Sequence, residues 1–301
     1  MTLKIIGAGM AGLLAASMLH RRNPVIYERQ ATLPNNHSSV LRFRSSVVGD
    51  TVGIPFRKVS MIKDALPWRN PVADALSYSM KNTGVRRSDR SITQGLVTEE
   101  RWIAPPDLIA QIAATIKLQP GYEEDFLGAG PFISTIPMPT LMDLLGHEHK
   151  PEFHHQPAIN VRAVIANTDA YVSLLTPDPR YPFSRISLTG SEMIVECPGE
   201  ADRIHARTTA LQAADLLGID DGDVLHITAH RSDYAKIIPI DEDQRKRFLA
   251  YATTEHNIYS VGRYATWKPK LLLDDVVQDV RIIEGWLNAG HHYDINKRKV
   301  S

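Results

Sequence analysis

The hydrophobic pattern at the start of the chain predicts a strand–helix–strand unit. Residues 3–6 (LKII) are a short, mostly apolar run, and a glycine-rich turn separates them from an apolar helical segment, Leu13 to Leu19. Asn23-Pro24 ends that helix, because proline disfavours helical geometry in the residue before it. A second apolar run, Val25 to Tyr27, follows at once. Two buried strands joined by a crossover helix begin a parallel sheet.

The pattern changes in the middle of the chain. Residues 30–102 have irregular hydrophobicity and several prolines, and we expect loops and short helices there that cover an active site. From Ile159 onward, apolar and polar positions alternate, which is typical of half-buried antiparallel strands. The predicted strands are Val161–Ile165, Tyr171–Leu175, Ser184–Leu188 and Met193–Glu196.

Further elements predict that the ends of the chain belong together. We expect strands at 132–137, within 225–238 and at 257–261, and helices at 108–116, 140–145, 201–217, 241–251 and 271–287. The fold class is therefore α/β: a Rossmann-like cofactor-binding domain with a parallel sheet, and an inserted, mainly antiparallel α+β substrate domain. We assign residues 1–60, 100–150 and 240–301 to the first domain and residues 61–99 and 151–239 to the second, which is a substrate or cap domain.

The glycine-rich turn carries a G-x-G-x-x-G motif. Gly7 permits the tight turn, Gly9 lets the backbone approach a pyrophosphate, and Gly12 allows close packing of helix on strand. Glu28 follows Gly7 by 21 residues, which is the spacing expected of the acid that binds ribose hydroxyl groups. The predicted cofactor-binding residues of this region are Gly7, Gly9, Met10, Ala11, Gly12, Glu28 and Arg29.

The identity of the dinucleotide depends on both ends of the chain. A carboxylate at Glu28 repels a 2′-phosphate and disfavours NADP, which leaves FAD and NAD. Residues 258–264 (IYSVGRY) resemble the second FAD-binding signature of UDP-galactopyranose mutase and the flavin amine oxidases, and residues 132–137 (FISTIP) resemble a strand–turn element of that superfamily. The resemblance implies FAD as the cofactor, with Gly262 and Arg263 contacting it. Many relatives carry Asp at the position of Arg263, so this residue departs from the family pattern.

Candidate catalytic residues lie in two segments. Arg42 and Arg44 alternate around Phe43, so on an extended segment both face the same way and suit a carboxylate or phosphate; pairing with surface acids is the alternative. Tyr264 and Lys268 follow the C-terminal glycine and are expected to line the open face of the flavin, although Lys268 is equally compatible with an exposed position. Residues 181–185 (YPFSR) resemble a strand of the mutase substrate sheet, and Arg185 belongs either to that site or to the sheet rim.

The whole chain also resembles bacteriophage flavoproteins of thymidine hypermodification. This resemblance rests on residues 37–44 (HSSVLRFR), residues 102–106 (WIAPP) and the Gly262-Arg263 loop. It implies FAD-dependent oxidation of the glycine Cα–N bond of N-linked glycinylthymidine, with 5-aminomethyl-deoxyuridine and glyoxylate as products. The partner is then modified DNA or a small-molecule amine. The basic run 86–90 (RRSDR) is a candidate contact for DNA phosphates, but the sequence favours a solvated loop. The alternatives are a mutase-like flavoenzyme acting on a nucleotide sugar and a flavin-binding protein without catalytic activity.

Composition adds a few limits. Lys and Arg total 34, as do Asp and Glu, so no positive field covers the whole protein. Cys197 is the only cysteine, and we expect it to pack at a strand end rather than act as a nucleophile. The four histidines at 147, 149, 154 and 155 lack the spacing of a helix-borne metal site, and we expect no metal. No apolar run reaches the length of a membrane span, and we expect a cytoplasmic protein, in the host cytoplasm if a phage encodes it. The sequence gives no indication of an oligomeric state.

Overall fold

The computed structural model describes residues 2–33, 37, 40–87, 92, 95–121, 131–199 and 204–289. Their strands form two sheets and are numbered in chain order. Sheet A has five parallel strands, in the order β13 (Ile258–Ser260), β7 (Phe132–Ser134), β1 (Lys4–Ile6), β2 (Val25–Glu28) and β6 (Lys117–Pro120). Sheet B has eight strands, in the order β12 (Val224–Ile237), β8 (His155–Ile165), β11 (Glu192–Pro198), β10 (Arg185–Gly190), β9 (Ala170–Leu175), β4 (Arg57–Ala65), β5 (Val97–Ile103) and β3 (Arg42–Phe43).

The helices of the described chain are α1 (Met10–Met18), α2 (Val47–Val52), α3 (Pro71–Thr83), α4 (Leu108–Ala113), α5 (Met138–Leu144), α6 (Ala206–Asp215), α7 (Glu242–His256) and α8 (Leu273–Asn288). Helices cover both faces of sheet A, which is the normal arrangement of a parallel sheet. Consecutive residues of a strand point to opposite faces. Ile5 accordingly packs in the core of α1, α4 and α8, while Ile6 packs with residues of α5 and α7 such as Leu141 and Phe248.

Sheet B forms the second part of the fold. Its neighbouring strands pair antiparallel, except that β4 runs parallel to β9. Helix α6 packs on it through Ala210, Ala213 and Ala214, which are fully buried. Small residues on a helix face allow the backbone of the helix to lie close to the sheet, because few side-chain atoms separate them.

The predicted fold class is confirmed: a parallel Rossmann-like sheet with its helices is joined to a mainly antiparallel sheet with its own helix. Sheet A takes strands from the start, the middle and the end of the chain. Strand β3 already belongs to sheet B, β4 runs across the predicted boundary after residue 60, and β5 runs across the one before residue 100. The division of the chain into the predicted residue ranges stays a prediction.

One prediction about local structure is wrong. Residues 30–102 contain the nine-residue strand β4 and the seven-residue strand β5, where we expected loops and short helices. Strand β4 buries only Met61 and Ala65, and Ile62 on the same strand is 41% exposed. Strand β5 has no fully buried residue. Strands that bury so few side chains have little hydrophobic periodicity, so the pattern could not reveal them.

The sole thiol is inert in this fold. Cys197 on β11 is fully buried, and burial raises the pKa of its thiol to about 12. A thiol with so high a pKa is a poor nucleophile at neutral pH. Within the described ranges, no helix is long and apolar enough to cross a membrane, and no group of three or more His, Cys, Asp or Glu side chains is arranged to hold a metal ion.

Candidate functional site

The glycine-rich turn between β1 and α1 is fixed by contacts that leave no room for side chains. Gly7 has φ of +92°, and a Cβ on it would lie 2.4 Å from Oγ1 of Thr135. That hydroxyl donates to the carbonyl of Ile6 at 2.9 Å and so ties β7 to the turn. A Cβ on Gly12 would lie 2.0 Å from the carbonyl oxygen of Gly7. Both glycines are therefore required by the protein's own packing.

Gly9 differs from the other two glycines of the motif. It is the N-cap of α1, with φ of −64° and ψ of 170°, and a Cβ built on it meets no atom of the described residues within 4 Å. The space in front of it is a cavity rather than protein. The first N–H groups of a helix lack intrahelical partners and carry the positive end of the helix dipole. This cradle fits a dinucleotide pyrophosphate.

Glu28 is held at the end of β2 beside this cradle. Its Oε2 accepts a hydrogen bond from the backbone N–H of Ala8 at 2.7 Å, and its Oε1 accepts one from the N–H of Gln30 at 2.9 Å. Each carboxylate oxygen has a further lone pair for a ligand hydroxyl group. The geometry therefore suits the predicted ribose contact. Arg29, which we also predicted to contact the cofactor, is exposed and does not line the cavity next to Glu28.

The C-terminal loop closes on the N-terminal helix. Gly262 has φ of +92°, and a Cβ on it would lie 2.7 Å from Cβ of Ala11. The N–H of Val261 donates to the carbonyl of Ser134 at 2.8 Å, which holds the loop on β7. The second predicted signature thus meets the first at the start of α1. The two motifs are about 250 residues apart in the chain, yet Gly262 packs against the methyl group of Ala11.

Two adjoining cavities lie along these motifs. The glycine-loop cavity has a volume of about 460 Å³ and is lined by Ala8, Gly9 and Glu28 on one side and by β8 and β12 on the other. The central cavity has a volume of about 320 Å³ and lies between α1, β3 and the Gly262 loop. Both volumes lie in the range of small-molecule and cofactor sites. The residues that line both are Gly9, Met10 and His37.

A third cavity, the basic cavity, opens on the far side of the Gly262 loop. Its volume is about 700 Å³, and Arg263 lines both it and the central cavity. Seven of its lining side chains are Lys or Arg, whereas Glu242 is the one carboxylate among them. Tyr264 lines the central cavity and Lys268 lines the basic cavity. The structure therefore brings these two predicted residues, Tyr264 and Lys268, to opposite sides of one loop.

The two arginines that we predicted to act together have separate partners. Arg42 on β3 donates to the carbonyl oxygens of Val172 and Leu188 at 2.8 and 2.7 Å and to Oγ1 of Thr189 at 2.9 Å. Arg44 is exposed and forms an ion pair with Asp275 of α8 at 2.9 Å. The structure does not bring the two guanidinium groups to one side. The reason is that β3 ends at Phe43, so the alternation of an extended strand does not continue to Arg44.

Arg42 acts as a structural cation in these contacts. Burial, together with the positive charges of Arg185 and Arg101, lowers the pKa of Arg42 to about 9, so the group is still charged at neutral pH. Its donors are used by sheet B. A substrate carboxylate would have to displace these bonds in order to bind it.

Substitution of the two arginines is expected to have unequal effects. Arg42→Met removes the donor for two carbonyl groups and a hydroxyl group, and we expect it to lower the free energy of unfolding by about 2–4 kcal/mol. Arg44→Ala breaks a surface ion pair and should cost about 1 kcal/mol or less. Urea unfolding followed by circular dichroism measures both. A larger loss in Arg44→Ala than in Arg42→Met would contradict these assignments.

Several lining residues were missed or underestimated in the sequence. His37 lines the glycine-loop and central cavities, and its carbonyl accepts from Arg162 of β8 at 2.8 Å. Arg185, at the start of β10, lines the basic cavity; the resemblance of residues 181–185 to a substrate strand was the signal for it. Arg245 of α7 lines the same cavity and had no signal in the sequence. Of the basic run 86–90, Arg87 lines the basic cavity, and residues 88–90 lie outside the described residues.

The two sheets define the class of fold: a Rossmann-type parallel sheet with its helices, joined to a second, mainly antiparallel sheet. The structure is similar to that of reduced UDP-galactopyranose mutase, with a TM-score of 0.70 at 13% identity over 99% of this chain and 96% of that one. It is also similar to a flavoprotein/dehydrogenase from Cytophaga hutchinsonii, with a TM-score of 0.53 at 12% identity over 100% and 82% of the two chains.

A third similar structure is the ternary complex of aklavinone-11 hydroxylase with FAD and aklavinone, with a TM-score of 0.52 at 10% identity. The similarity covers 95% of this chain and 62% of that one. At these identities the similarities establish the fold. No protein-family model and no curated protein sequence matches the chain.

Proposed function

We propose that the protein binds FAD along the glycine-loop and central cavities and uses it to oxidise an amine. The observation that supports this most directly is the cradle in front of Gly9, where a Cβ would meet no described atom within 4 Å, with Glu28 on one side and the Gly262 loop on the other. Gly9 and the N-terminus of α1 would hold the pyrophosphate, Glu28 the ribose, and Met10, Ala11, Gly262 and Arg263 the part that enters the central cavity. The similar structures include a complex with FAD.

The specific reaction follows from the resemblance of the sequence to the thymidine-hypermodification flavoproteins. The proposed substrate is N-linked glycinylthymidine in DNA, and bound FAD would accept a hydride from the glycine Cα. The resulting substrate imine takes up water and separates into 5-aminomethyl-deoxyuridine and glyoxylate. The substrate loses two electrons and two protons in forming the imine: a hydride leaves Cα, the N–H proton passes to solvent, and the water oxygen later becomes the aldehyde oxygen of glyoxylate.

The chain's own residues would act by binding and orientation. Arg263 and Tyr264 lie beside the central cavity, where they can fix the direction of the substrate C–H bond. Holding the reacting atoms in one geometry contributes several kcal/mol to such reactions. Apolar side chains, such as Leu41, Phe43 and Val261, line part of the central cavity and would reduce the contact of the reacting atoms with water. The imine needs water only after it has formed.

An anaerobic spectrum tests this proposal. The FAD-loaded protein is mixed with duplex DNA that contains N-linked glycinylthymidine, and the visible flavin bands are recorded while glyoxylate is measured. We expect the bands to bleach and about one glyoxylate to form per flavin, since each hydride transfer reduces one flavin. DNA with unmodified thymidine is the control and should leave the bands unchanged. Unchanged bands with the glycinylated DNA would contradict the proposed substrate.

The second candidate is a mutase-like enzyme acting on a nucleotide sugar. It is favoured by the TM-score of 0.70 to UDP-galactopyranose mutase over nearly the whole of both chains. Such an enzyme would require reduced FAD and would consume no oxygen. Incubation of the reduced protein with UDP-galactopyranose, followed by chromatography of the sugar nucleotides, separates this candidate from the first. Bound FAD without turnover of either substrate would favour a binding protein.

A further inference from the structure

We propose that the basic cavity is an oxyanion site that binds the carboxylate or phosphate of the substrate, with Arg185, Arg263 and Lys268 as its binding residues. This inference deepens the proposed function and rests on it in one respect: the anion belongs to the molecule that reacts in the central cavity. It replaces Arg42 and Arg44 as the predicted carboxylate-binding residues. One residue, Arg263, lines both the basic cavity and the central cavity, so its side chain borders the proposed anion site and the reaction site.

The first argument is the excess of positive charge. Seven lining side chains are basic and Glu242 is the only acid among the residues that line the cavity. Glu242 is already neutralised, because Arg245 donates to its two oxygens at 2.7 and 2.8 Å. The hydrogen bond from Arg245 lowers the pKa of Glu242, so the carboxylate is ionised and Arg245 balances its charge. A concave surface of one charge sign raises the local concentration of oppositely charged ligands.

The second argument is that three cations of the basic cavity have buried donors without acceptors among the described residues. Among the described residues, Nε of Arg185, Nε of Arg263 and Nζ of Lys268 are buried and have no hydrogen-bond partner. Burying a donor of a charged group without a partner is energetically unfavourable. Three such donors beside one cavity indicate that a ligand supplies their acceptors. A carboxylate or phosphate offers two or three oxygens for them.

Two of the other cations of the cavity, Arg245 and Lys63, already have partners. Nη1 of Arg245 donates to the carbonyl of Thr266 at 3.0 Å, in addition to its bonds with Glu242. Lys63 lies 3.6 Å from a carboxylate oxygen of Glu99 on β5. Arg185 has one contact of its own, between Nη2 and Glu196, but Lys236 also binds Glu196 at 2.7 Å. Glu196 therefore divides its negative charge between Arg185 and Lys236 and neutralises Arg185 only in part. The remaining positive charge of Arg185 can attract an anionic ligand.

Lys268 is the residue that reports best on this site. Burial, and next the positive charge of Arg245, lower the pKa of Lys268. An anion in the cavity would offset both effects, because it favours the charged ammonium group. A lysine has a flexible four-carbon stem, so a small rotation can turn its ammonium group towards a ligand. The preceding residue, Trp267, is fully buried and fixes the start of this side chain.

The test measures anion binding directly by calorimetry on the FAD-loaded protein, with sodium glyoxylate and inorganic phosphate as probes. We expect wild type to bind at least one of them and Lys268→Met to bind it at least tenfold more weakly. Lys246→Met is the matched control: it removes the same charge from α7, at a residue that contacts Glu242 but does not line the cavity. We expect it to bind within about twofold of wild type. Flavin content and Tm establish that each variant is folded and loaded.

The arms of the experiment separate the source of the anion. Lys268-dependent binding of glyoxylate assigns the cavity to a substrate carboxylate, and Lys268-dependent binding of phosphate alone assigns it to a nucleotide. The proposal is overturned if wild type binds neither probe, or if Lys246→Met loses as much affinity as Lys268→Met. Turnover of glycinylated DNA is measured separately on wild type. Lys268-dependent anion binding without turnover would support this site and rule out the proposed substrate. Turnover without Lys268-dependent anion binding would support the proposed substrate and rule out this site.

Discussion

Gly9→Val is expected to abolish FAD binding while leaving the protein folded. The backbone of Gly9, with φ of −64° and ψ of 170°, is a conformation that any L-residue adopts. Its Cβ would meet no atom of the described residues within 4 Å, so the valine side chain enters the cradle and not the protein. We expect FAD to bind at least about 100-fold more weakly, which corresponds to about 2.7 kcal/mol. The measurement is the flavin absorbance of the purified protein, followed by titration of the apoprotein with FAD.

Two controls make this result specific. Gly285→Val adds the same side chain at an exposed position of α8 where a Cβ also meets nothing within 4 Å, and it should retain full flavin absorbance. Gly12→Ala should instead impair folding, because its Cβ would lie 2.0 Å from the carbonyl oxygen of Gly7. If Gly9→Val purified with a normal amount of flavin, the assignment of the cradle to the pyrophosphate would be wrong.

The glycine motif was predictable because its geometry is local. Gly7 and Gly9 lie in the turn between β1 and α1, Gly12 lies in the first turn of α1, and the spacing to Glu28 spans a single strand–helix–strand unit. Such a unit has few ways to fold, so its motif predicts its shape. The pairing of the Gly262 loop with α1 is not local, and it was predicted only through the resemblance of residues 258–264 to a known signature.

The basic cavity shows why the rest of the site could not be predicted. Of its binding residues, Arg185 lies at the start of β10, whereas Arg263 and Lys268 lie in the loop before α8, about 80 residues later. Arg245, which also lines the cavity, lies on α7. Nothing in the local pattern separates Arg185 from a surface arginine at a sheet rim. The prediction for Arg42 and Arg44 used alternation along an assumed strand, and that strand ends at Phe43. Whether an arginine already donates its hydrogen bonds to backbone carbonyl groups depends on how the strands pack.

Trp267 connects the stability of the fold to the site. Its side chain is fully buried, and its Nε1 donates to the carbonyl of Ile238 at 2.8 Å. Its ring packs edge-on against Phe153, with centroids 4.7 Å apart. Its φ of +48° is uncommon for a bulky residue, so surrounding contacts must hold it. Arg263 lies four residues before Trp267, and Lys268 follows it directly. Packing of this indole therefore helps to fix the positions of both residues.

Trp267→Ala is expected to lower the free energy of unfolding by about 3–5 kcal/mol, the usual cost of deleting a large buried aromatic side chain. For a chain of this size we expect Tm to fall by about 10 °C. Trp267→Phe keeps most of the apolar volume and loses the hydrogen bond to Ile238, so its loss of unfolding free energy should be smaller.

Differential scanning calorimetry measures Tm, and titrations with FAD and glyoxylate measure binding at the two sites. We expect weaker binding of both ligands at a temperature where Trp267→Ala is still folded, because the loop that carries Arg263 and Lys268 is then less well ordered. A variant that kept both affinities and the Tm of wild type would show that the indole positions neither the core nor the loop.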